Sequence, residues 1–388
     1  MTDHELTEQI IRRRMHGLYL SRPCADIVTL ARELLGLHSW FYRNVLFSAL
    51  IRGADIRGWK TALTKTWLYR GTLHGVAFED LPQLLALSAG KTKDGASSWL
   101  ARLYGGGTIR DIADEVLNLM EDGVCSRAEF RKIFAERYEP QLIDDIFSPW
   151  GGIFVYLARL GKVAFKDMAS RDFDLISAEP SHTFDEVLPD LIRRYFAAYG
   201  PATFADMAWF FGLSQADTKL KAPVPKLRGL LGPEPLALEG LRLFAFAGGS
   251  GPAGGSGPAE GSGPAEGFGP GEGFGPGGKI YYCGENDDSP EEAVIGDIPE
   301  LTLLSGFDPL IVSYADRSAV LPPEYKSRVI LKSGICLPSI AVNGRVAGLW
   351  NIKKNEPVVE FFTAQPKRIE RAALEMAGSI CWRIRSVV

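Results

Sequence analysis

The sequence lacks the cysteine pattern of a disulfide-stabilised or zinc-binding protein. Its five cysteines are an odd number spread over 388 residues, no two of them form a Cys-x-x-Cys pair, and the five histidines are equally dispersed. Disulfide scaffolds and structural zinc sites are recognised by paired or closely spaced ligands. We therefore expect no disulfide framework, no metal ion and no cofactor.

Long apolar runs are also missing. No stretch approaches the roughly 18 to 20 apolar residues that a membrane span needs. The N-terminus does not combine a basic start, an apolar middle and a small-residue cleavage site, as a signal peptide does. With 46% hydrophobic and 23% charged residues, the chain has the composition of a soluble globular protein. We expect a cytoplasmic protein without a membrane partner.

The charge balance gives no overall attraction to nucleic acid, because the formal net charge is −4. The charges are unevenly distributed, however. Residues 285–300 carry seven acidic side chains and no basic one, whereas residues 309–388 carry twelve Lys or Arg against six Asp or Glu. A basic C-terminal region can bind phosphates, but it can equally be a solvated surface of biased composition. The sequence leaves both interpretations open.

Residues 249–278 are five copies of a six-residue unit rich in glycine and proline. Such a segment offers few apolar side chains to offset the loss of chain entropy, so its composition predicts disorder. It separates two strand-like runs, 241–246 and 279–283. Lengthening a loop between paired strands costs only about 0.6 kcal/mol per doubling. We therefore predict a hairpin of these two runs, with the repeats inserted in its loop.

The N-terminal part reads as helices followed by an extended run. Apolar spacing predicts helices over 25–36 and 41–51, and a third, short helix over 59–64. In the following run, period-two alternation would place Arg70, Thr72 and His74 on one face of a single strand. That face is either a functional surface or an ordinary solvated strand face. Helices followed by a small β element are typical of a winged helix.

A second helical segment carries clear capping residues. Thr203 is suited to cap a helix, Asp206 places a carboxylate in its first turn, Gly212 ends it, and Ser214 can cap a following helix. Two short helices joined by a glycine turn read as a helix-turn-helix. Many helical hairpins that do not touch DNA look the same.

The C-terminal part reads as strands closed by a helix. Asn343-Gly344 between two apolar runs is the strongest short-range signal for a hairpin. Residues 358–363 form another predicted strand. Pro366 opens a final helix whose core-facing positions should be Ile369, Ala373, Met376 and Ile380.

Several stretches taken in order resemble one known family. They are Trp67-Leu68-Tyr69-Arg70-Gly71-Thr72-Leu73-His74, Glu79-Asp80-Leu81-Pro82, Tyr199-Gly200-Pro201-Ala202-Thr203 with Asp206 and Trp209, Gly306-Phe307-Asp308-Pro309, Asp316-Arg317-Ser318, Leu321-Pro322-Pro323-Glu324, and Asn343-Gly344-Arg345-Val346-Ala347-Gly348-Leu349-Trp350. From about residue 10 to residue 385, the chain resembles the winged-helix proteins of the AlkZ-like DNA glycosylase family.

The resemblance implies a fold that is mainly α with small β elements, in which tandem winged helices precede a C-terminal β-barrel-like domain around a channel for duplex DNA. We expect winged-helix domains at 1–105, 106–185 and 186–298, the last with the repeat insertion at 249–278, and the barrel-like domain with its terminal helix at 299–388. Characterised members remove alkylated bases, including cross-linked ones, by hydrolysing the N-glycosidic bond. The implied partner is duplex DNA.

The resemblance also implies a position for the catalytic water. Family members hold it with a Gln-x-Gln or Gln-x-Asp pair, and the matching positions here are His38 and Trp40. A neutral imidazole can orient or deprotonate water, so His38 is a candidate catalytic residue. An indole has no acceptor, so Trp40 could only stack on a base or wedge into a duplex. The structural alternatives are a partly buried histidine at a helix end and a tryptophan in the core.

Six residues are candidates for contacting DNA: Trp40, Arg70, Thr72, His74, Arg317 and Arg345. For Arg317, an ion pair with Asp316 competes with a phosphate contact. Three functional hypotheses remain. The first, which we favour, is a DNA-binding relative without glycosylase chemistry; the second is a divergent glycosylase that uses His38; the third is a winged-helix scaffold for protein contacts.

Overall fold

A computed structural model describes residues 3–89, 98–148, 152–180, 182–213, 234–238, 241–247, 280–284 and 296–387. The chain divides into two compact units. The terminal unit comprises Met1–Asp26, Leu46–Asp55 and Pro189–Val388, and the inner unit comprises Ile27–Val45 and Ile56–Leu188. The four-domain division remains a prediction.

The described residues form a mixed α/β structure of helices and antiparallel sheets. The helices are α1 (Asp3–Gly17), α2 (Ile27–Glu33), α3 (Tyr42–Ile51), α4 (Leu81–Ala89), α5 (Ser98–Tyr104), α6 (Gly106–Glu121), α7 (Arg127–Phe134), α8 (Pro140–Ile146), α9 (Ile153–Arg159), α10 (Phe184–Tyr199), α11 (Phe204–Phe211), α12 (Pro309–Val312), α13 (Lys326–Val329) and α14 (Lys367–Arg385). The strands are β1 (Leu37–His38), β2 (Thr64–Trp67), β3 (Leu73–Val76), β4 (Val163–Phe165), β5 (Phe173–Leu175), β6 (Glu234–Leu238), β7 (Leu241–Ala247), β8 (Ile280–Gly284), β9 (Leu301–Leu304), β10 (Ser339–Val342), β11 (Arg345–Lys353) and β12 (Glu356–Phe361).

The inner unit contains a five-stranded antiparallel sheet in the order β1-β3-β2-β4-β5. Its core is built from α6, α7, α8 and α9 together with Trp67 and Leu73 of the sheet. On α6, buried apolar residues recur three or four positions apart, which is the spacing that gives a helix one core-facing side; they are Ile109, Ile112, Ala113, Val116 and Met120.

The predicted single strand over 65–74 is wrong, because the chain folds back there as a hairpin. Strand β2 ends at Trp67 and β3 begins at Leu73, opposite it. Between them, Arg70 (φ +53°, ψ 19°) and Gly71 (φ +70°) form the centre of a type I′ turn closed by a 3.0 Å bond from the Thr72 N–H to the Tyr69 carbonyl. Arg70, Thr72 and His74 therefore do not share one face of a strand.

The first two helices predicted from apolar spacing are present as α2 and α3. The third, over 59–64, is wrong. Residues 57–63 form turns and bends, with Gly58 at φ +67°, and the backbone of Thr64 already belongs to β2, paired with Val76. Strand pairing across the hairpin therefore outweighs the local helical pattern.

In the terminal unit, β9, β10, β11 and β12 form a four-stranded antiparallel sheet. The predicted hairpin is confirmed, since Asn343 (φ +48°) and Gly344 (φ +74°) join β10 to β11. The final helix begins after Pro366, as expected. Three of its four predicted core positions are buried, but Met376 is 39% exposed and the next residue, Ala377, is buried instead.

A separate sheet of the terminal unit has the order β6-β7-β8. The predicted pairing of the runs on either side of the repeats is confirmed, because β7 and β8 are antiparallel neighbours. The repeats at 249–278 themselves lie outside the described residues.

The predicted capping of α11 is confirmed. The Thr203 hydroxyl accepts a hydrogen bond from the Asp206 N–H, the Asp206 carboxylate accepts one from the Thr203 N–H, and Gly212 ends the helix with φ +62°. The predicted second helix from Ser214 lies outside the described part of the chain.

Within the described ranges, no helix is both long and apolar enough to cross a membrane. The same ranges contain no cluster of three His, Cys, Asp or Glu residues suited to a metal ion.

Candidate functional site

Three polar side chains lie in one row across the inner sheet. His38 of β1 stands opposite His74 of β3, and His74 stands opposite Thr66 of β2. Residues directly opposite on paired strands project from the same face of a sheet. The two imidazole rings meet edge to face, with their centroids 5.6 Å apart. The register thus brings together two of the residues that the sequence suggested separately.

The close approach of β1 to β3 depends on Gly36. Helix α2 ends with a bond of 2.7 Å from the Gly36 N–H to the Ala31 carbonyl, and Gly36 adopts φ +110°. A Cβ atom at this position would stand 2.9 Å from Cγ1 of Val76, which is closer than real Cβ contacts allow. Glycine therefore lets the chain turn from the helix directly into β1 beside β3.

His74 is buried and held by a local hydrogen bond. Its side chain is 5% exposed, and the ring of Tyr69 packs edge-on against it at 5.3 Å. Its Nδ1 atom lies 3.1 Å from the Thr72 carbonyl, which can only accept, so Nδ1 carries the proton and Nε2 has the lone pair. Burial lowers the pKa of His74 to about 4, an effect that the Thr72 carbonyl opposes and the Arg70 charge reinforces.

His38 is half-buried, and its pKa is lowered well below the ordinary value, first by burial and then by His74 and Arg70. Both imidazoles of the row are therefore neutral near neutral pH. A neutral imidazole pair can donate and accept hydrogen bonds and could orient a water molecule. With such a low pKa, however, each imidazole is a weak base.

Ser39 and Trp40 follow β1 directly, and both contribute to packing. The Ser39 side chain is fully buried, and its N–H donates a hydrogen bond of 2.8 Å to the Leu73 carbonyl. Trp40 is half-buried and packs against the apolar core of the inner unit. Its role in contacting DNA stays a prediction.

Arg70 and Thr72 lie at the turn of the β2–β3 hairpin. The Arg70 side chain is exposed, whereas the Thr72 hydroxyl donates a hydrogen bond of 3.0 Å to the Tyr69 carbonyl. The structure thus gathers four predicted site residues at one end of the inner sheet: His38, Arg70, Thr72 and His74.

Arg317 belongs to the terminal unit and is engaged in local contacts. Its Nε donates to the Ile311 carbonyl at 3.0 Å, and its guanidinium lies over the Trp209 ring, 5.3 Å from the centroid. These contacts give Arg317 a packing role within the unit. Whether it also contacts phosphate stays a prediction.

Arg345, also in the terminal unit, is more exposed. Its Nε donates to the Ala319 carbonyl at 3.3 Å. It lines a surface cavity of about 420 Å³ to which Arg12, Glu8 and Asp297 also contribute. Because this cavity carries both signs of charge, it is not a dedicated phosphate site.

Two side chains near the row carried no signal in the sequence. Thr66 is completely buried, and its hydroxyl has no hydrogen-bond partner within the described ranges. Arg159, the last residue of α9, is half-buried beside the hairpin turn, with Nη2 4.0 Å from the point where a Cβ atom of Gly71 would stand. Thr66 joins the row through the register of the β2–β3 hairpin, and Arg159 comes from a helix distant in sequence, so no local motif could have revealed either role.

Comparison with known proteins gives three consistent matches. A family model described as DNA glycosylase AlkZ-like matches residues 60–255 and 271–380. An interstrand DNA cross-link repair glycosylase of Streptomyces sahachiroi is 25% identical over 346 residues, which cover 81% of this chain and 78% of that protein. The solved structure of the Streptomyces sahachiroi DNA glycosylase AlkZ has the same fold, with a TM-score of 0.66, 20% identity, and coverage of 97% of this chain and 96% of that chain.

Proposed function

The chain belongs to the AlkZ-like DNA glycosylase family, and from this premise we propose that it binds duplex DNA carrying alkylated or cross-linked bases without hydrolysing the N-glycosidic bond. Binding would use tandem winged helices and a C-terminal barrel-like domain around a channel. The relative from Streptomyces sahachiroi is named for cross-link repair, which supports damaged DNA as the ligand.

We infer the absence of catalysis from the row of His38, His74 and Thr66, in which both imidazoles are neutral. Hydrolysis of an N-glycosidic bond passes through a sugar with positive charge, which nearby negative charge stabilises. The row of His38, His74 and Thr66 contains no carboxylate, and the neighbouring charge of Arg70 is positive. Trp40, at the second position of the expected water-holding pair, packs against the core. The local field thus opposes the transition state and favours an anionic ligand.

DNA binding is supported by the placement of basic residues. Arg70 is exposed on the β2–β3 hairpin, which follows helices in the order of a winged helix. Residues 309–388 contain twice as many basic as acidic side chains. Phosphate contacts by such residues supply most sequence-independent affinity for DNA, even in a protein of negative net charge.

A second candidate function, a divergent glycosylase, is favoured by one feature of the same row. The tautomer imposed on His74 by the Thr72 carbonyl leaves an acceptor at Nε2. His38 and His74 together could hold a water molecule through their nitrogens, with His38 as its general base.

One experiment separates the two functions. The protein is incubated with duplex DNA containing 7-methylguanine or a nitrogen-mustard crosslink; binding is followed by fluorescence anisotropy, and abasic sites by alkaline strand cleavage. His38→Ala is the test variant, and Lys132→Gln, at an exposed position of α7, is its control. We expect salt-sensitive binding and no abasic sites above the protein-free level.

Abasic product that is lost in His38→Ala but kept in Lys132→Gln would establish the glycosylase instead. If the wild-type protein does not bind duplex DNA, the scaffold for protein contacts becomes the leading hypothesis.

A further inference from the structure

Trp382, near the end of α14, is the most exposed large apolar side chain among the described residues, at 71%. Tryptophan is usually packed, because its large ring gains free energy when it leaves water. The buried residues of α14 lie on another side of the helix, so the packing of α14 does not require an aromatic residue at this position. A ligand that covers the indole would recover the free energy of its burial.

An interior glycine leaves the surface beside this tryptophan open. Gly378 lies one turn before Trp382, on the same side of α14. A Cβ atom at Gly378 would meet nothing closer than Cγ of Pro357, at 3.9 Å. Packing therefore does not require glycine here, although only proline is less favourable in the interior of a helix. The absent side chain leaves room for a flat ligand against the indole.

The turn between β11 and β12 brings two lysines to the same end of α14. The Cys381 thiol donates a hydrogen bond of 3.2 Å to the Asn355 carbonyl, so the turn packs against the helix one residue before Trp382. Lys353 and Lys354 are exposed at this turn. The tryptophan therefore has two ammonium groups on the neighbouring element.

The charged side chains around Trp382 are mainly cations without ion pairs. Arg385 is exposed three positions after Trp382, on the same side of α14. Within the described part of the chain, the side chains of Lys353, Lys354 and Arg385 form no ion pair. Glu356 is the acidic residue of the same hairpin turn. We refer to Trp382 and these three cations as the Trp382 surface; an aromatic ring among free cations matches the bases and phosphates of a nucleic acid.

We infer that the Trp382 surface binds single-stranded DNA, with Trp382 stacked on an unpaired base and the three cations in contact with neighbouring phosphates. Bases inside a duplex are covered on both faces by their neighbours, so an indole stacks on bases that are unpaired. The inference goes beyond the proposed function, which concerns duplex DNA. It rests on that function only for the choice of DNA as the nucleic acid, and it does not involve the row at His38.

The first test measures binding of a fluorescein-labelled oligothymidine of about 12 nucleotides by anisotropy. Trp382→Leu removes the ring but keeps an apolar side chain, and Trp382→Phe keeps a ring. Phe78→Leu is the matched control, because Phe78 is another exposed aromatic residue, at 44%. We expect Trp382→Leu to weaken binding about tenfold, Trp382→Phe to weaken it less, and Phe78→Leu to bind like the wild type.

The second test examines the cations through the salt dependence of the same binding. The double variant Lys353→Gln/Arg385→Gln should reduce the slope of log K against log salt by about 0.7 for each phosphate contact that is lost. Lys132→Gln, at an exposed position of α7, should keep the slope of the wild type. All the substituted side chains are exposed, and circular dichroism verifies that each variant is folded.

The inference is overturned if the wild type does not bind oligothymidine, or if folded Trp382→Leu loses no more affinity than Phe78→Leu. It is also overturned if Trp382 is needed for binding to phosphatidylserine vesicles but not to oligothymidine, since the surface would then be a membrane contact. Duplex DNA is titrated in parallel. A wild type that binds oligothymidine but not duplex defeats the proposed function and leaves the single-strand site standing, whereas the reverse result defeats the single-strand site alone.

Discussion

At the scale of single residues, His74 makes the stability of the folded protein depend on pH. Its imidazole is neutral because burial lowers its pKa to about 4, whereas in the unfolded chain it titrates near the ordinary value of 6.5. As the pH falls below 6.5, the unfolded chain binds a proton that the folded protein does not. The stability contributed by neutral His74 is therefore complete above 6.5 and is lost progressively toward pH 4.

We predict that the free energy of unfolding falls by about 2 kcal/mol from this residue between about pH 6.5 and pH 5. The pKa of His38 is also lowered, so this residue changes the free energy of unfolding in the same direction. Urea unfolding at several pH values measures the effect. The variant His74→Asn should be less stable near neutral pH but should depend less steeply on pH than the wild type.

His182→Gln is the matched control, since His182 is an exposed histidine of the same unit. Its pH dependence should follow that of the wild type. An NMR titration in which the His74 ring changes protonation near pH 6.5 would contradict the prediction.

The two central residues of the β2–β3 turn should respond to substitution with opposite signs. Arg70 is strained in the left-handed region, so Arg70→Asn should raise the free energy of unfolding by about 0.5 to 1 kcal/mol. At Gly71 (φ +70°) a new Cβ atom would meet nothing closer than 4.0 Å, so Gly71→Ala introduces backbone strain alone. This substitution should lower the free energy of unfolding by about 1 kcal/mol.

Urea unfolding with circular dichroism detection measures both changes in the turn. A loss of stability in Arg70→Asn would show that the arginine side chain supports the fold.

At the scale of secondary-structure elements, two hairpins of the same turn type differed in how well they could be predicted. Asn343-Gly344 has the residues that a type I′ turn prefers, and its hairpin was predicted correctly. Arg70-Gly71 adopts the same turn with an unfavourable first residue, and the surrounding Thr, Trp and Tyr favour an extended chain. Local propensity therefore predicted a continuous strand, and only the pairing of β2 with β3 decides otherwise.

For the same reason, the candidate site could be predicted from the sequence only in part. His38 and His74 could be selected as single residues, but β1 has only two residues and no periodicity of its own. Its pairing with β3 joins segments about 35 residues apart, and a register of this kind depends on packing that local sequence does not encode. Arg159 reaches the turn from a more distant helix, so it could not be predicted at all.

The start of α11 offers a test of capping against buried charge. Thr203→Ala removes one capping hydrogen bond and should lower the free energy of unfolding by about 1 kcal/mol. Asp206 is 1% exposed, accepts hydrogen bonds from the Ala315 and Asp316 N–H groups, and lies 3.9 Å from the buried guanidinium of Arg14. Removing the Asp206 carboxylate leaves the Arg14 charge buried, so Asp206→Ala should lower the free energy of unfolding by about 3 to 5 kcal/mol.

Urea unfolding of both variants gives the comparison, with Asp206→Asn as the control that keeps an acceptor oxygen but removes the charge. The stability of Asp206→Asn should lie between those of Thr203→Ala and Asp206→Ala. If Thr203→Ala and Asp206→Ala lose equal stability, then Asp206 acts only as part of the cap, and its contacts beyond α11 do not contribute.

At the scale of the whole molecule, net charge is a poor guide to the ligand. The formal charge of −4 includes seven acidic residues concentrated in 285–300. The candidate arginine contacts to DNA are divided between the units: Arg70 belongs to the inner unit, and Arg317 and Arg345 belong to the terminal unit. Attraction to DNA over distances near a Debye length is set by these local groups and not by the sum.

If DNA binds the folded protein and not the unfolded chain, it must stabilise the fold by mass action. Undamaged duplex DNA at about 100 times its dissociation constant should raise the free energy of unfolding by about 2.7 kcal/mol. Thermal unfolding with and without duplex at low salt measures this as an increase in Tm. Raising the salt concentration should remove the increase, because the counterion release that drives each phosphate contact becomes less favourable in salt. At the same DNA concentration, Arg70→Asn should show a smaller increase than Lys132→Gln, since Arg70 is a candidate DNA contact and Lys132 is not. An increase in Tm that persists at high salt would instead assign the binding energy to uncharged contacts, and the electrostatic account of the DNA interaction would be wrong.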